Sequence, residues 1–70
     1  MKEIIFHVEE DHEGGYIAEA QGFGIVTEAD TMDELEKMVR DAVRTYFEDD
    51  ESKLPKTIAL RFLRERQLAL

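Results

Sequence analysis

The side chains and turns that could do chemistry fall into three groups. All four glycines, Gly14, Gly15, Gly22 and Gly24, lie just ahead of a helical pattern, where a phosphate-binding loop would sit. A Walker-type loop needs Gly-x-x-x-x-Gly-Lys-Ser/Thr, so that backbone N–H groups wrap the phosphates and the lysine reaches them. No Lys or Arg lies between Lys2 and Lys37, and Gly22-Phe23-Gly24 lacks the third glycine of a dinucleotide fingerprint. The glycines therefore read as turn formers. The acid run Glu9, Glu10, Asp11 and Glu13 with His12 lacks the spacing and central glycine of a calcium loop, and reads as a solvated hairpin tip. His7 and His12 are the only groups suited to base chemistry near neutral pH, and nothing in the pattern brings them together. Ser52 is the only serine and there is no cysteine, so neither a nucleophile with its base nor a thiolate zinc set can be assembled. The expectation is a protein without catalysis, metal or cofactor.

Four strands and one helix must position these residues. Ile4, Phe6 and Val8 alternate with Ile5, His7 and Glu9, which predicts a strand. An acidic, glycine-ended loop follows, then "YIAEA" with Tyr16, Ala18 and Ala20 on one face, the turn "QGFG", and a third strand "IVTEA". Short loops make these three strands antiparallel neighbours. The period then changes: Leu35, Met38, Val39, Ala42, Val43, Tyr46 and Phe47 recur at helical spacing and form one apolar stripe. Thr31 followed by Glu34 is a capping box, and Asp33 and Glu34 favour the positive helix end. Within the stripe Met38 is expected in the core, whereas Met32, at the helix start, is expected to be exposed. Pro55 ends the charged connection "EDDESKLP", and "KTIALRFL" alternates again, with Ile58, Leu60 and Phe62 facing the helix. The order β-β-β-α-β with one apolar helical stripe predicts a single α+β domain over residues 1–70. This is a two-layer sandwich in which the helix packs on one face of an antiparallel sheet.

Size and charge narrow the function. A chain of 70 residues buries only about 60% of its unfolded surface, so self-association as a dimer or larger is an expected source of further burial. Tail residues Leu68 and Leu70 are expected to pack on the same subunit or a neighbour. The uncovered sheet face is mixed, with Ile5, Ile17, Val26 and Leu63 among Glu19, Glu28 and Arg61. The net charge of −8 opposes phosphate contact, so nucleic acid is not an expected partner. Residues 1–51 carry 16 acidic and 4 basic side chains, and residues 52–70 carry one acid, Glu65, and five bases, among them Arg61, Arg64 and Arg66. An acidic body suits a basic partner protein. No apolar run approaches a membrane span and no leader pattern opens the chain, which predicts a cytoplasmic protein.

The segment "EGGYIAEAQGFGIVTEADTMDELEKMVRDAVRTYFED" resembles the N-terminal domain of HicB-family antitoxins and their short stand-alone relatives. The matching positions are Gly14-Gly15-Tyr16, Gly24, Asp30-Thr31, Leu35, Ala42-Val43 and Tyr46, within residues 3–63. The resemblance implies a partial RNase-H-like fold with no activity attached. It also implies a small basic toxin of the HicA kind, an mRNA-cleaving ribonuclease, as partner. Full antitoxins of that family carry a C-terminal DNA-binding domain, for which this sequence has no room, so operator binding is not expected. The surface expected to meet a partner comprises Glu10, Asp11, Glu13, Glu19, Phe23 and Glu28. Phe23, between two glycines, either folds back over the sheet edge or anchors the partner. Two other classes stand beside this one. One is a regulatory homo-oligomer holding a small molecule between subunits. The other is a degenerate nuclease, for which Glu19 and Glu28 on neighbouring strands supply two acids but no third.

Overall fold

In the computed structural model, which describes residues 2–62 and 68–70, the strands are β1 (Glu3–Glu10), β2 (Tyr16–Ala20), β3 (Val26–Ala29) and β4 (Thr57–Phe62). The helix α1 (Met32–Tyr46) lies between β3 and β4, and a single 3-10 turn, Glu51–Lys53, interrupts the connection that follows it. Leu63, Arg64 and Arg66 fall outside the described residues. No helix among the described residues is long and apolar enough to cross a membrane.

The sheet order is β3-β2-β1-β4. β1 and β2 pair antiparallel from Phe6↔Ala20 to Glu10↔Tyr16, and β2 and β3 from Tyr16↔Ala29 to Glu19↔Val26. β4 pairs with β1 in parallel, from Glu3↔Thr57 to Val8↔Phe62, so the sheet is mixed rather than wholly antiparallel. Connectivity explains the difference. Two hairpins leave β3 running with β1, the helix carries the chain back across the sheet, and the next strand must run the same way again.

The core is the seam between α1 and the even-numbered side chains of β1 and β2. Ile4, Phe6, Val8, Ala18 and Ala20 meet Leu35, Val39, Val43 and Phe47, with Ile25 closing the β2–β3 turn, all of them buried. The four helix residues stand at i, i+4, i+8 and i+12, and that line is the one α1 presses onto the strands. Met38 and Met32 exchange the places expected of them. Met38 is 46% exposed because it flanks this line on the side of β3, where the sheet ends, while Met32 packs against the core. Phe62 also departs from expectation, at 54% exposed. It belongs to an edge strand that the helix reaches least, since α1 packs chiefly over β3 and β2. Ile58 and Leu60 on the same strand are half-buried. The tail residues Leu68 and Leu70 are exposed on this chain rather than packed on it.

Local signals hold the ends together. The Thr31 hydroxyl accepts from the Glu34 N–H at 3.2 Å, satisfying a donor that the first helical turn leaves free. The β1–β2 turn is closed by two backbone bonds, Asp11 N–H to the Gly15 carbonyl and Gly14 N–H to the Asp11 carbonyl, both 3.0 Å. Gly14 and Gly15 have φ of 97° and 87°, which favour glycine. Gly15 carries a second constraint, because a Cβ there would stand 2.9 Å from the Ala29 carbonyl oxygen on β3.

Four substitutions test this account by thermal or denaturant unfolding. Leu35→Ala empties a fully buried position and is expected to cost about 2–5 kcal/mol. Thr31→Ala removes the cap and is expected to cost about 1 kcal/mol, lowering Tm by roughly 4–8 °C. Gly15→Ala is expected to destabilise more than Gly14→Ala, because only the former meets backbone. Equal losses at the two glycines would refute the close approach of the hairpin to β3.

Candidate functional site

The six residues expected at a partner surface do not form one patch. Asp11 and Glu13 sit on the β1–β2 turn, where the Asp11 carboxylate also accepts from the Glu13 N–H at 3.5 Å. Glu28 stands on the edge strand β3, paired with Ile17. These three line one shallow groove between the hairpin, β3 and the N-terminal half of α1, together with Asp30, Glu34 and Asp41. Among the described residues Lys37 is the one cation lining it. Glu10, exposed at the end of β1, adjoins this groove through Asp11 without lining it.

Glu19 and Phe23 belong to a second depression at the other end of β2, shared with His7, Glu9, Ile17 and Gln21. Glu19 lies directly across from His7, whose Nε2 is 3.1 Å from the Gln21 side-chain oxygen. Phe23 folds back onto its own helix. Its ring meets Tyr46 edge-on at 5.6 Å and Phe47 at 5.8 Å, and those two rings meet each other at 5.0 Å. Such edge-to-face pairs add about 0.5–1.5 kcal/mol each beyond the area they bury, so Phe23 pins the β2–β3 turn to the helix C-terminus. What it offers a partner is one face of a packed aromatic cluster.

The sequence reading missed Asp30, Glu34 and Asp41 as members of the first groove, although a signal was present. Glu34 and Asp41 stand seven residues apart on one face of α1, Asp30 just precedes the helix cap, and the hairpin stands beside that face. The opposite flank of α1 has a different character. Glu36, Arg40 and Arg44 face the start of β4 across an open groove of about 450 Å³ floored by Val39, Val43, Ile58 and Leu60. Arg40 and Glu36 are 3.7 Å apart, an exposed pair of the kind that adds little stability. The domain is thus acidic along its β3 edge and cationic with apolar gaps along its β4 edge.

For metal-dependent chemistry the arrangement offers little. Glu19 and Glu28 share the uncovered face, each paired with an apolar residue, Val26 and Ile17 respectively. That sets the two carboxylates diagonally across two strands, with Glu9 of β1, paired with Ile17, as the third acid of that face. Among the described residues no group of three His, Asp or Glu side chains is placed to hold a metal ion.

Comparison with known proteins gives a family without an activity. The family described as "Domain of unknown function (DUF1902)" matches residues 3–70. A UPF0150 protein of Thermotoga maritima is 36% identical over 70 residues, covering 100% of this chain and 96% of the relative. A UPF0150 protein of Archaeoglobus fulgidus is 48% identical over 48 residues, covering 69% of this chain and 71% of the relative. No solved structure matches. None of these descriptions names a toxin, an antitoxin or HicB. By the extent of these matches, the chain belongs to the DUF1902 family and has UPF0150 proteins as its relatives.

Proposed function

We propose that this protein is a non-catalytic binding module that recognises a basic protein through its acidic β3 edge. The observation that carries this reading is the groove where, among the described residues, six acids, Asp11, Glu13, Glu28, Asp30, Glu34 and Asp41, stand with one cation, Lys37. Carboxylates gathered at this density repel one another, and the electrostatic cost is relieved when a cationic surface covers them. Solvent-exposed acids alone would serve solubility equally well if scattered. Here three elements of the fold, the hairpin, β3 and α1, deliver them to one concavity.

The motif resemblance to HicB-type antitoxins supports the same reading and suggests the partner's class, a small basic ribonuclease toxin. Family membership by itself carries no function, so the assignment rests on the groove and the motifs together. Binding to such a partner should be steered by long-range attraction and weakened by salt, because exposed charges are screened beyond about 8 Å at physiological ionic strength.

The test is retention of proteins from a lysate of the source organism on the tagged chain, followed by washes of rising salt. A small basic protein is expected to stay at low salt and leave at high salt. Asp11→Lys combined with Glu13→Lys, both on an exposed turn, is expected to cut retention about tenfold or more while leaving the melting temperature nearly unchanged. Retention that survives the double reversal, or the absence of any basic protein at low salt, defeats the proposal.

A further inference from the structure

The β4 edge poses a separate question. β4 pairs with β1 on one side, and among the described residues no strand lies on its other side, so a row of backbone donors and acceptors faces outward. The strand is not protected in the usual ways. Thr57–Phe62 contains no proline and no acid, its one charge is Arg61, and Phe62 projects 54% exposed beside half-buried Ile58 and Leu60. Leu54, 37% exposed, extends the apolar strip at the lower end. The other sheet edge differs. β3 is only four residues long and stands against the acidic groove, so two copies meeting there would bring carboxylates onto carboxylates.

We propose that the free edge of β4 docks β4 of a second copy of this chain, antiparallel, about a two-fold axis at Leu60. The result is one continuous sheet of eight strands. The register follows from side-chain complementarity. With Leu60 on the axis, Ile58 lies opposite Phe62 of the second copy on the helix-bearing face, and Ala59 lies opposite its Arg61 on the other face. Every apolar side chain of the strand's helix-bearing face then meets an apolar one, and within Thr57–Phe62 no like charges stand directly opposed. A register with Ala59 on the axis instead pairs Ile58 with Leu60 and leaves Phe62 uncovered.

Charge on the flank of α1 favours the same pairing. Because β3 and β4 run the same way and α1 returns between them, α1 runs opposite to β4. Its Arg44 end therefore lies toward Thr57 and Lys56, and its Glu36 end toward Phe62. A two-fold axis at Leu60 sets the Phe62 end of each strand beside the Thr57 end of the other. Glu36 of one copy then comes on the side of Arg44 and Lys56 of the second, a flank that complements itself on reversal. The acidic β3 edges are carried to the two far ends of the assembly, as far apart as two chains of charge −8 can place them. The interface is small, below the roughly 1,200 Å² of standard stable complexes, so a micromolar dimer is expected.

Sedimentation equilibrium across the micromolar range is the test, with two sets of variants. The wild-type chain is expected to rise with concentration toward twice its 8.1 kDa. Phe62→Lys alters an exposed side chain, so the fold should persist by circular dichroism while dimerisation weakens about tenfold or more. The chain has no cysteine, so Leu60→Cys introduces a sole thiol. Directly opposed strand residues lie about 4.5–5.5 Å apart, within disulfide reach, and mild oxidation should link the two copies. Val26→Cys on β3 should not link. A monomer at every concentration overturns the proposal. So does a dimer that ignores Phe62→Lys or that links through Val26→Cys instead. The proposal is independent of the acidic groove: Phe62→Lys should leave retention of a basic protein intact, and the Asp11/Glu13 reversal should leave the dimer intact.

Discussion

One helix must cover four strands, and it is not wide enough to cover them equally. An α-helix with its side chains spans about 10–12 Å, whereas strands repeat every ~4.8 Å, so one helix shelters two strands fully and a third in part. The line Leu35–Val39–Val43–Phe47 settles where that shelter falls, chiefly over β3 and β2 and reaching as far as the inward side chains of β1, so that Ile4, Phe6, Val8, Ala18 and Ala20 are buried. Everything on the surface follows from that allocation. Met38 faces outward past the short strand β3, and Ile58, Leu60 and Phe62 are left partly bare on β4.

The same allocation sorts the charge. Asp30, Glu34 and Asp41 fall on the flank of α1 toward β3, where the hairpin adds Asp11 and Glu13. Arg40 and Arg44 fall on the flank toward β4, where the connection adds Lys56. Neither grouping exists until the helix crosses from one sheet edge to the other. The acidic body of the sequence thus becomes an acidic edge, and an edge with one sign of charge can select a partner in a way that diffuse charge cannot.

Much of the fold could be read from the residues. Alternation placed β1, β2 and β3, and Thr31 with Glu34 marked the helix start that the hydroxyl-to-amide bond makes real. Periodicity failed where the answer depended on what lies beneath. It put Met38 in the stripe because Met38 is on the correct half of the helix, but it could not say that the sheet ends there. It put Phe62 beside Ile58 and Leu60, which is right, without showing that no helix reaches that far. The parallel pairing of β4 was available from connectivity rather than pattern, since two hairpins and a helical return leave no other direction. The candidate surface was legible as acid residues but not as a place. Asp11 and Glu13 join Glu28 only through the register of β2 with β3, and that same register separates them from Glu19 and Phe23.

Parallel pairing of β1 with β4 has a consequence in time. Glu3 meets Thr57 and Val8 meets Phe62, so β1, made before the other three strands, gains its second neighbour only after α1 has followed β3. On the ribosome β1, β2, β3 and α1 can assemble early, but one side of β1 stays open until β4 emerges. Closure over so long a stretch of chain is slow compared with a hairpin. A nascent chain therefore passes through an interval in which Ile4, Phe6 and Val8 sit beside an unpaired edge, and neighbouring chains on the same message are the nearest strands that could fill it.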